Sequence, residues 1–117
     1  MGKLLYAEDE FTNRKIMEIQ CQKAGVDCFL AEDGREALNL IKNNEFDVII
    51  LDQYMPGLNG DVLIKEARTL GIATPLIAIT SDDSMIEHLK SSGFDEVYIK
   101  PLRSGDYSKI ISTHCAG

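Results

Sequence analysis

Four short segments carry side chains that could do chemistry together: Glu8-Asp9-Glu10, Asp52, Thr80-Ser81 and Lys100-Pro101. Each follows directly on a short apolar run, the position a residue takes when it leaves the carboxyl end of a strand. Two carboxylates about 4 Å apart repel by about 4 kcal/mol at an effective dielectric of 20, so Glu8, Asp9 and Asp52 gathered at one point need compensation. A divalent cation supplies it. An oxygen-only donor set favours Mg²⁺, with Mn²⁺ an allowed substitute, and Mg²⁺ keeps room for a phosphoryl oxygen. An acid nucleophile, a metal, a lysine and a hydroxyl around one point make a phosphoryl-transfer site. Taken singly, each segment has a plainer reading. Glu8-Asp9-Glu10 suits a solvated turn or a helix N-terminus favoured by the macrodipole. Asp52 suits a strand-ending cap, Thr80-Ser81 a helix start and Lys100-Pro101 an ordinary loop. The argument rests on their occurrence together, one per strand end.

The elements that must bring them together are legible from periodicity. Lys3–Ala7, Cys28–Ala31, Val48–Leu51, Leu76–Ile79 and Val97–Ile99 read as strands. Val48-Ile49-Ile50-Leu51 is continuously apolar, as expected for a central parallel strand covered on both faces. Helix-period stripes lie between them: Met17, Cys21 and Ala24 before Gly25; Ala37 and Ile41 after a capping-box pair, Asp33 and Glu36; Leu63, Ala67 and Leu70 before Gly71. Ser84 and Glu87 have capping-box spacing ahead of Leu89 and Gly93, and Tyr107, Ile110 and His114 mark a last short helix. Five strands alternating with five helices imply right-handed crossovers and an α/β fold. The expectation is a five-stranded parallel sheet, order 2-1-3-4-5, flavodoxin-like, with helices on both faces. In such sheets ligands bind beyond the carboxyl ends of the strands, near the switch between strands 1 and 3. Glu8, Asp9 and Asp52 belong to those two strand ends.

Composition narrows the rest. The chain has 117 residues with 12 basic and 19 acidic side chains, a net charge of −7, so one domain over residues 1–117 is expected. The charge argues against direct binding to nucleic acid, which needs clustered Lys and Arg. No apolar run approaches the roughly 20 residues of a membrane span, so no membrane insertion is expected. Cys21, Cys28 and Cys115 form no CxxC pair, which speaks against a zinc site or disulfide framework and for a reducing, cytoplasmic setting. His88 and His114 show no ligand-like spacing.

The assembled motifs resemble the response-regulator receiver domain of two-component signalling, over essentially the whole chain. The residues that carry the resemblance are Glu8-Asp9, Asp33-Gly34-x-Glu36-Ala37-Leu38, Asp47-Val48-Ile49-Ile50-Leu51-Asp52, Met55-Pro56-Gly57-Leu58-Asn59-Gly60, Thr80, Tyr98 and Lys100-Pro101. The resemblance implies that Asp52 is the phosphoacceptor and that Glu8, Asp9, Asp52 and the backbone carbonyl of Tyr54 hold Mg²⁺. It implies that Lys100 pairs with the phosphoryl group and that Thr80 hydrogen-bonds it once attached. The donor is expected to be a histidine kinase or a histidine phosphotransfer protein. Thr80 drawn toward the phosphate would make space for Tyr98 to swing inward, reshaping the face of helix 4, strand 5 and helix 5 for an unidentified output partner, or for a phosphorylation-dependent dimer. Such a domain is not an enzyme beyond its own phosphoryl acceptance and autodephosphorylation.

Some positions depart from the commonest pattern. Glu8 stands where Asp is more frequent, and Ser81 occupies a position that takes small residues. Tyr54 and Asp82, each two residues past a site residue, line the expected path of a hydrolytic water and are expected to set the phosphoryl lifetime. Three rival functions fit less well. An aspartate-nucleophile phosphatase of the haloacid-dehalogenase type wants a second Asp where Tyr54 stands. A flavin carrier wants a Ser/Thr/Gly-rich phosphate loop where Glu8-Asp9-Glu10 would repel the phosphate. A degenerate receiver acting only as an interaction module does not need Asp52, Thr80 and Lys100 together. Only 16 residues follow Lys100-Pro101, room for one helix, so a stand-alone receiver and a receiver excised from a hybrid kinase or longer regulator are both expected forms.

Overall fold

Strand side chains alternate between faces, and here both faces are apolar. In the computed structural model, Leu5, Ala7, Ile49, Leu51, Leu76 and Ala78 point into one core, while Leu4, Tyr6, Val48, Ile50, Ile77 and Ile79 point into the other. The sheet must therefore be covered twice. Residues 2–115 are described; the remaining three positions of the expected 1–117 domain lie outside them. The elements run β1 (Lys3–Ala7), α1 (Phe11–Ala24), β2 (Asp27–Ala31), α2 (Gly34–Asn43), β3 (Val48–Asp52) and α3 (Gly60–Thr69). They continue with β4 (Leu76–Thr80), a 3-10 turn (Asp83–Met85), α4 (Ile86–Ser91), β5 (Glu96–Ile99) and α5 (Ser104–Cys115). The strands are parallel in the order β2-β1-β3-β4-β5, as the alternation of elements predicts. Met17 and Cys21 of α1 and Tyr107, Ile110 and Ile111 of α5 cover one face. Ala37, Leu38 and Ile41 of α2, Leu63, Ile64 and Ala67 of α3, and Leu89 of α4 cover the other.

Most signals act as expected, and three act differently. Gly25 ends α1 in the left-handed region, φ 71°, and its N–H reaches the carbonyls of Cys21 and Gln22. Asp33 Oδ1 accepts the Glu36 N–H at 2.8 Å, but the Glu36 carboxylate turns back to the N–H of Glu32 at 2.7 Å, one residue short of a closed capping box. Leu70 is not part of the α3 stripe. The helix ends at Thr69, and Leu70 is 51% exposed where the chain turns toward Gly71. Ser84 and Glu87 do not form the α4 cap. Asp82 Oδ1 accepts both the N–H (3.0 Å) and the hydroxyl (2.6 Å) of Ser84, and this local bond draws the chain into the 3-10 turn before α4 begins at Ile86. Four strands are one residue longer than the apolar runs: β2 and β5 begin at Asp27 and Glu96, which pair with Lys3 and Ile77, and β3 and β4 extend to Asp52 and Thr80, which pair with Ile79 and Ile99.

Candidate functional site

Register places the site. Ala7 pairs with Leu51 across β1 and β3, so the next residues, Glu8 and Asp52, emerge side by side. Continued alternation puts Glu8, Asp52 and Lys100 on the face of Tyr6, Ile50 and Tyr98, the side covered by α1 and α5. Lys100 follows Ile99, which pairs with Thr80, and its backbone N–H is fixed to the Thr80 carbonyl at 2.9 Å. Its side chain reaches across the end of β4, so that Nζ lies 2.6 Å from Asp52 Oδ2, 3.0 Å from Glu8 Oε1 and 3.9 Å from Glu10 Oε1.

The environment is unusual for charge. Glu8 and Asp52 are both buried, Glu8 completely. Burial, with the Glu8 carboxylate beside it, pushes Asp52 up to about 7, while Lys100 pulls the other way. Burial works against ionised Glu8 too, but its contacts with Asp52, Asn13 and Lys100 hold it below the usual carboxylate range. Lys100 loses hydration, yet the two acids keep its ammonium above its ordinary value. One partly buried cation therefore serves two buried acids, and a deficit of positive charge remains. Glu8 Oε1 is used by Lys100 and by Asn13 Nδ2 at 2.9 Å, whereas Glu8 Oε2 is buried with no hydrogen-bond partner among the described residues. Oxygens of Glu8, Asp9 and Glu10 all lie within 4.8 Å of one another. An unpartnered buried carboxylate oxygen beside further acids is the donor set that a hard divalent cation takes. The residues present fit Mg²⁺.

The remaining expected site residues are partly assembled. Asp9 is exposed and gathers with Glu8 and Glu10; Asp52 joins that group through Glu8 and Lys100. The Tyr54 N–H points to Asp52 Oδ1 at 3.3 Å, which ties its backbone to that carboxylate. Thr80 is buried at the same edge, but its hydroxyl accepts the N–H of Asp82 at 3.1 Å inside its own loop. Tyr54 is 48% exposed, and its hydroxyl lies 3.5 Å from Asp82 Oδ2. Tyr98 is half-buried on β5, an edge strand, and its hydroxyl donates to Glu96 Oε1 at 3.0 Å; the other Glu96 oxygen meets His114 Nε2 at 2.8 Å. Burial and Glu96 push the Tyr98 hydroxyl up to about 12.

Sequence reading did not single out several supporting side chains. Asn13 and Arg14, in the first turn of α1, hold Glu8, the latter through Nη1 to the Glu8 carbonyl at 2.8 Å. Gln53 is buried behind Asp52 and anchors the start of α3, Oε1 accepting the Asp61 N–H at 3.0 Å and its carbonyl the Gly60 N–H at 2.9 Å. No type or spacing marks these residues in the chain; they become visible only when α1 and α3 are placed against the strand ends. His88, distant from the acids in sequence, contacts Asp61 at 3.0 Å, and His114 contacts Glu96, so neither adds to the acid cluster.

Comparison with known proteins agrees with this geometry. Residues 4–112 match the family described as the response regulator receiver domain. The autoinducer 2 sensor kinase/phosphatase LuxQ of Vibrio vulnificus is 35% identical over 104 residues, 86% of this chain but 12% of that protein. The receiver domain of the Francisella response regulator 1452 is 30% identical with a TM-score of 0.87, covering 99% of this chain and 95% of that one. The response regulator TrrA of Thermotoga maritima, solved in complex with Mg²⁺-BeF, is 26% identical with a TM-score of 0.86, over 97% of this chain and 98% of its own. None of the helices among the described residues is long and apolar enough to cross a membrane. With its fold, its strand-end acids and these relatives in agreement, the chain belongs to the response regulator receiver domain family, the phosphorylation-accepting module of two-component systems.

Proposed function

We propose that this receiver takes a phosphoryl group onto Asp52 in a Mg²⁺-dependent reaction, from the phosphohistidine of a histidine kinase or histidine phosphotransfer protein. The observation that carries this reading is the buried Asp52 carboxylate, 2.6 Å from Lys100 and next to Glu8 with its unpartnered Oε2. Glu8, Asp9, Asp52 and the Tyr54 carbonyl would hold the ion. When bound, Mg²⁺ neutralises the acids and the charge of the incoming phosphoryl oxygens. An Asp52 oxygen forms the new P–O bond as the P–N bond to the donor imidazole breaks and the imidazole leaves with that electron pair. Lys100 orients Asp52 and then pairs with a phosphoryl oxygen. These tasks are positioning and charge neutralisation, which is most of what phosphoryl transfer asks of a protein. Phe11, 70% exposed at the start of α1 near the acids, offers an apolar contact for a donor protein. The test is labelling by a small phosphodonor: the label forms only with Mg²⁺, does not form when the ion is chelated before the donor is added, and is released by hydroxylamine as an acyl phosphate. Label that forms in the presence of chelator, or resists hydroxylamine, rejects this reading.

Signalling follows from the phosphoryl charge, about −1.5 to −2. Thr80 would exchange its bond to the Asp82 N–H for a phosphoryl oxygen, and Tyr98 would leave Glu96 for the space behind Thr80. The face of α4, β5 and α5 changes shape and selects an output partner, or a second phosphorylated copy. The site works in the cytoplasm in this reading, where kinase and nucleotide are found.

The lifetime of the phosphoryl group is set at Tyr54 and Asp82. Tyr54→Ala opens the path of water and is expected to shorten the half-life roughly threefold to tenfold, under about 1.4 kcal/mol of barrier. Asp82→Asn keeps the acceptor for Ser84 but removes the charge that orients water, and is expected to lengthen it by a similar factor. Following loss of label after donor removal checks both. Unchanged half-lives in both variants reject the assignment.

A further inference from the structure

Glu8 carries one methylene more than the Asp commonly found at its position, and with it one more torsion with three staggered wells. Something must select among them. In this structure two donors share one of its oxygens: Asn13 Nδ2 at 2.9 Å and Lys100 Nζ at 3.0 Å, both on Oε1. Oε2 is left buried and without a partner among the described residues. Arg14 fixes the same residue through its backbone, with Nη1 2.8 Å from the Glu8 carbonyl, Nη2 3.4 Å from Glu32 and its guanidinium over the Phe11 ring. The first turn of α1 thus holds Glu8 at both ends.

We infer that Asn13 is a positioning residue for the metal: by occupying Oε1 it restrains the long Glu8 side chain so that Oε2 is turned to the cation. This rests on the Mg²⁺ reading above. Asn13 itself touches neither the cation nor the phosphoryl group. Its effect is one of preorganisation, since an unrestrained Glu8 spreads over wells in which Oε2 is misdirected and ion binding must then narrow them. Outer hydrogen bonds of this kind typically change metal affinity 10- to 100-fold. A shorter acid has less freedom to restrain and cannot extend as far toward Asn13, so the contribution of Asn13 belongs to Glu8 specifically.

The test is the Mg²⁺ dissociation constant by calorimetry, in the absence of any phosphodonor, across a double-mutant cycle. Asn13→Leu and Asn13→Ser, the second guarding against a packing fault from the first, are each expected to weaken Mg²⁺ binding about tenfold in the wild-type background. In a Glu8→Asp background the same substitutions are expected to change it by less than about twofold. Equal losses in both backgrounds show a merely structural role and overturn the inference, as does no loss in either. Wild-type protein that binds no Mg²⁺ overturns the metal reading itself, a result distinguishable from the other two.

Discussion

Asp52→Asn is expected to reduce phosphoryl incorporation from a small phosphodonor to background, a loss of more than about 10³-fold, while the protein stays folded. The amide retains the shape of the side chain and an oxygen for Lys100 Nζ, which sits 2.6 Å from Asp52 Oδ2. What it loses is the anionic oxygen that, in the proposed reaction, attacks phosphorus. The fold is expected to tolerate the change because the site holds more negative charge than it can pair. Burial and Glu8 push Asp52 up to about 7, so neutralising this position removes a repulsion, and the metal-free variant should melt no lower than wild type. Both readings are needed together. Label lost with the fold intact assigns the acceptor to Asp52; label retained at wild-type level moves it to another acid; label lost with the fold would say only that the site is structural.

That prediction could be drawn before any coordinates because the residues behind it depend on two simple rules. Strand order brings β1 beside β3, and pleat parity turns Glu8, Asp52 and Lys100 to one side. Both rules operate on short, strongly apolar runs, where periodicity is clearest. Asn13 and Gln53 escaped because their roles depend on the rotation of α1 and α3 about their own axes and on the path of two loops, which no local pattern encodes. Leu70 and Ser84 show the complementary failure. Their spacing matched a helix face and a cap, but a helix that stops at Thr69 and an Asp82 carboxylate closer to Ser84 decided otherwise. Thr80 lies between these cases: its place at the edge was legible, whereas the bond of its hydroxyl to the Asp82 N–H was not.

The Tyr98 reading gains a concrete cost from the structure. Its hydroxyl has an outward partner, Glu96, which is itself held by His114 of α5. The proposed inward swing would give up that hydrogen bond, so the vacated space and the proposed phosphoryl bond to Thr80 would together have to offset about 1 kcal/mol or more. In the proposed switch, that bond would favour the Glu96-bound state before phosphorylation.

Gly34→Ala is the substitution expected to damage the fold most for the least chemical change, by about 2–3 kcal/mol, with slower phosphoryl acceptance as a consequence. Gly34 opens α2, and its N–H reaches the Pro56 carbonyl at 3.2 Å, so the loop after β3 lies directly on it. An added Cβ would lie 2.6 Å from the Leu58 Cβ and 2.8 Å from the Leu58 carbonyl carbon, and nearer still to its oxygen. These contacts are mainly with backbone, which cannot rotate away as a flexible side chain would. Leu58 is buried in the core with Ala37 and Leu38, so it cannot retreat inward either. The strain must go into the loop from Gln53 to Asn59, which carries the Tyr54 N–H to Asp52 and the anchor of α3. Gly105→Ala supplies the contrast, since a Cβ there meets nothing within 4 Å and the residue sits in the first turn of α5. It is expected to stabilise by about 0.5–1 kcal/mol through the unfolded chain and better helix propensity. Urea denaturation of the two variants beside wild type measures both signs, and a Gly34→Ala protein as stable as Gly105→Ala would show that the loop is free to move away from α2.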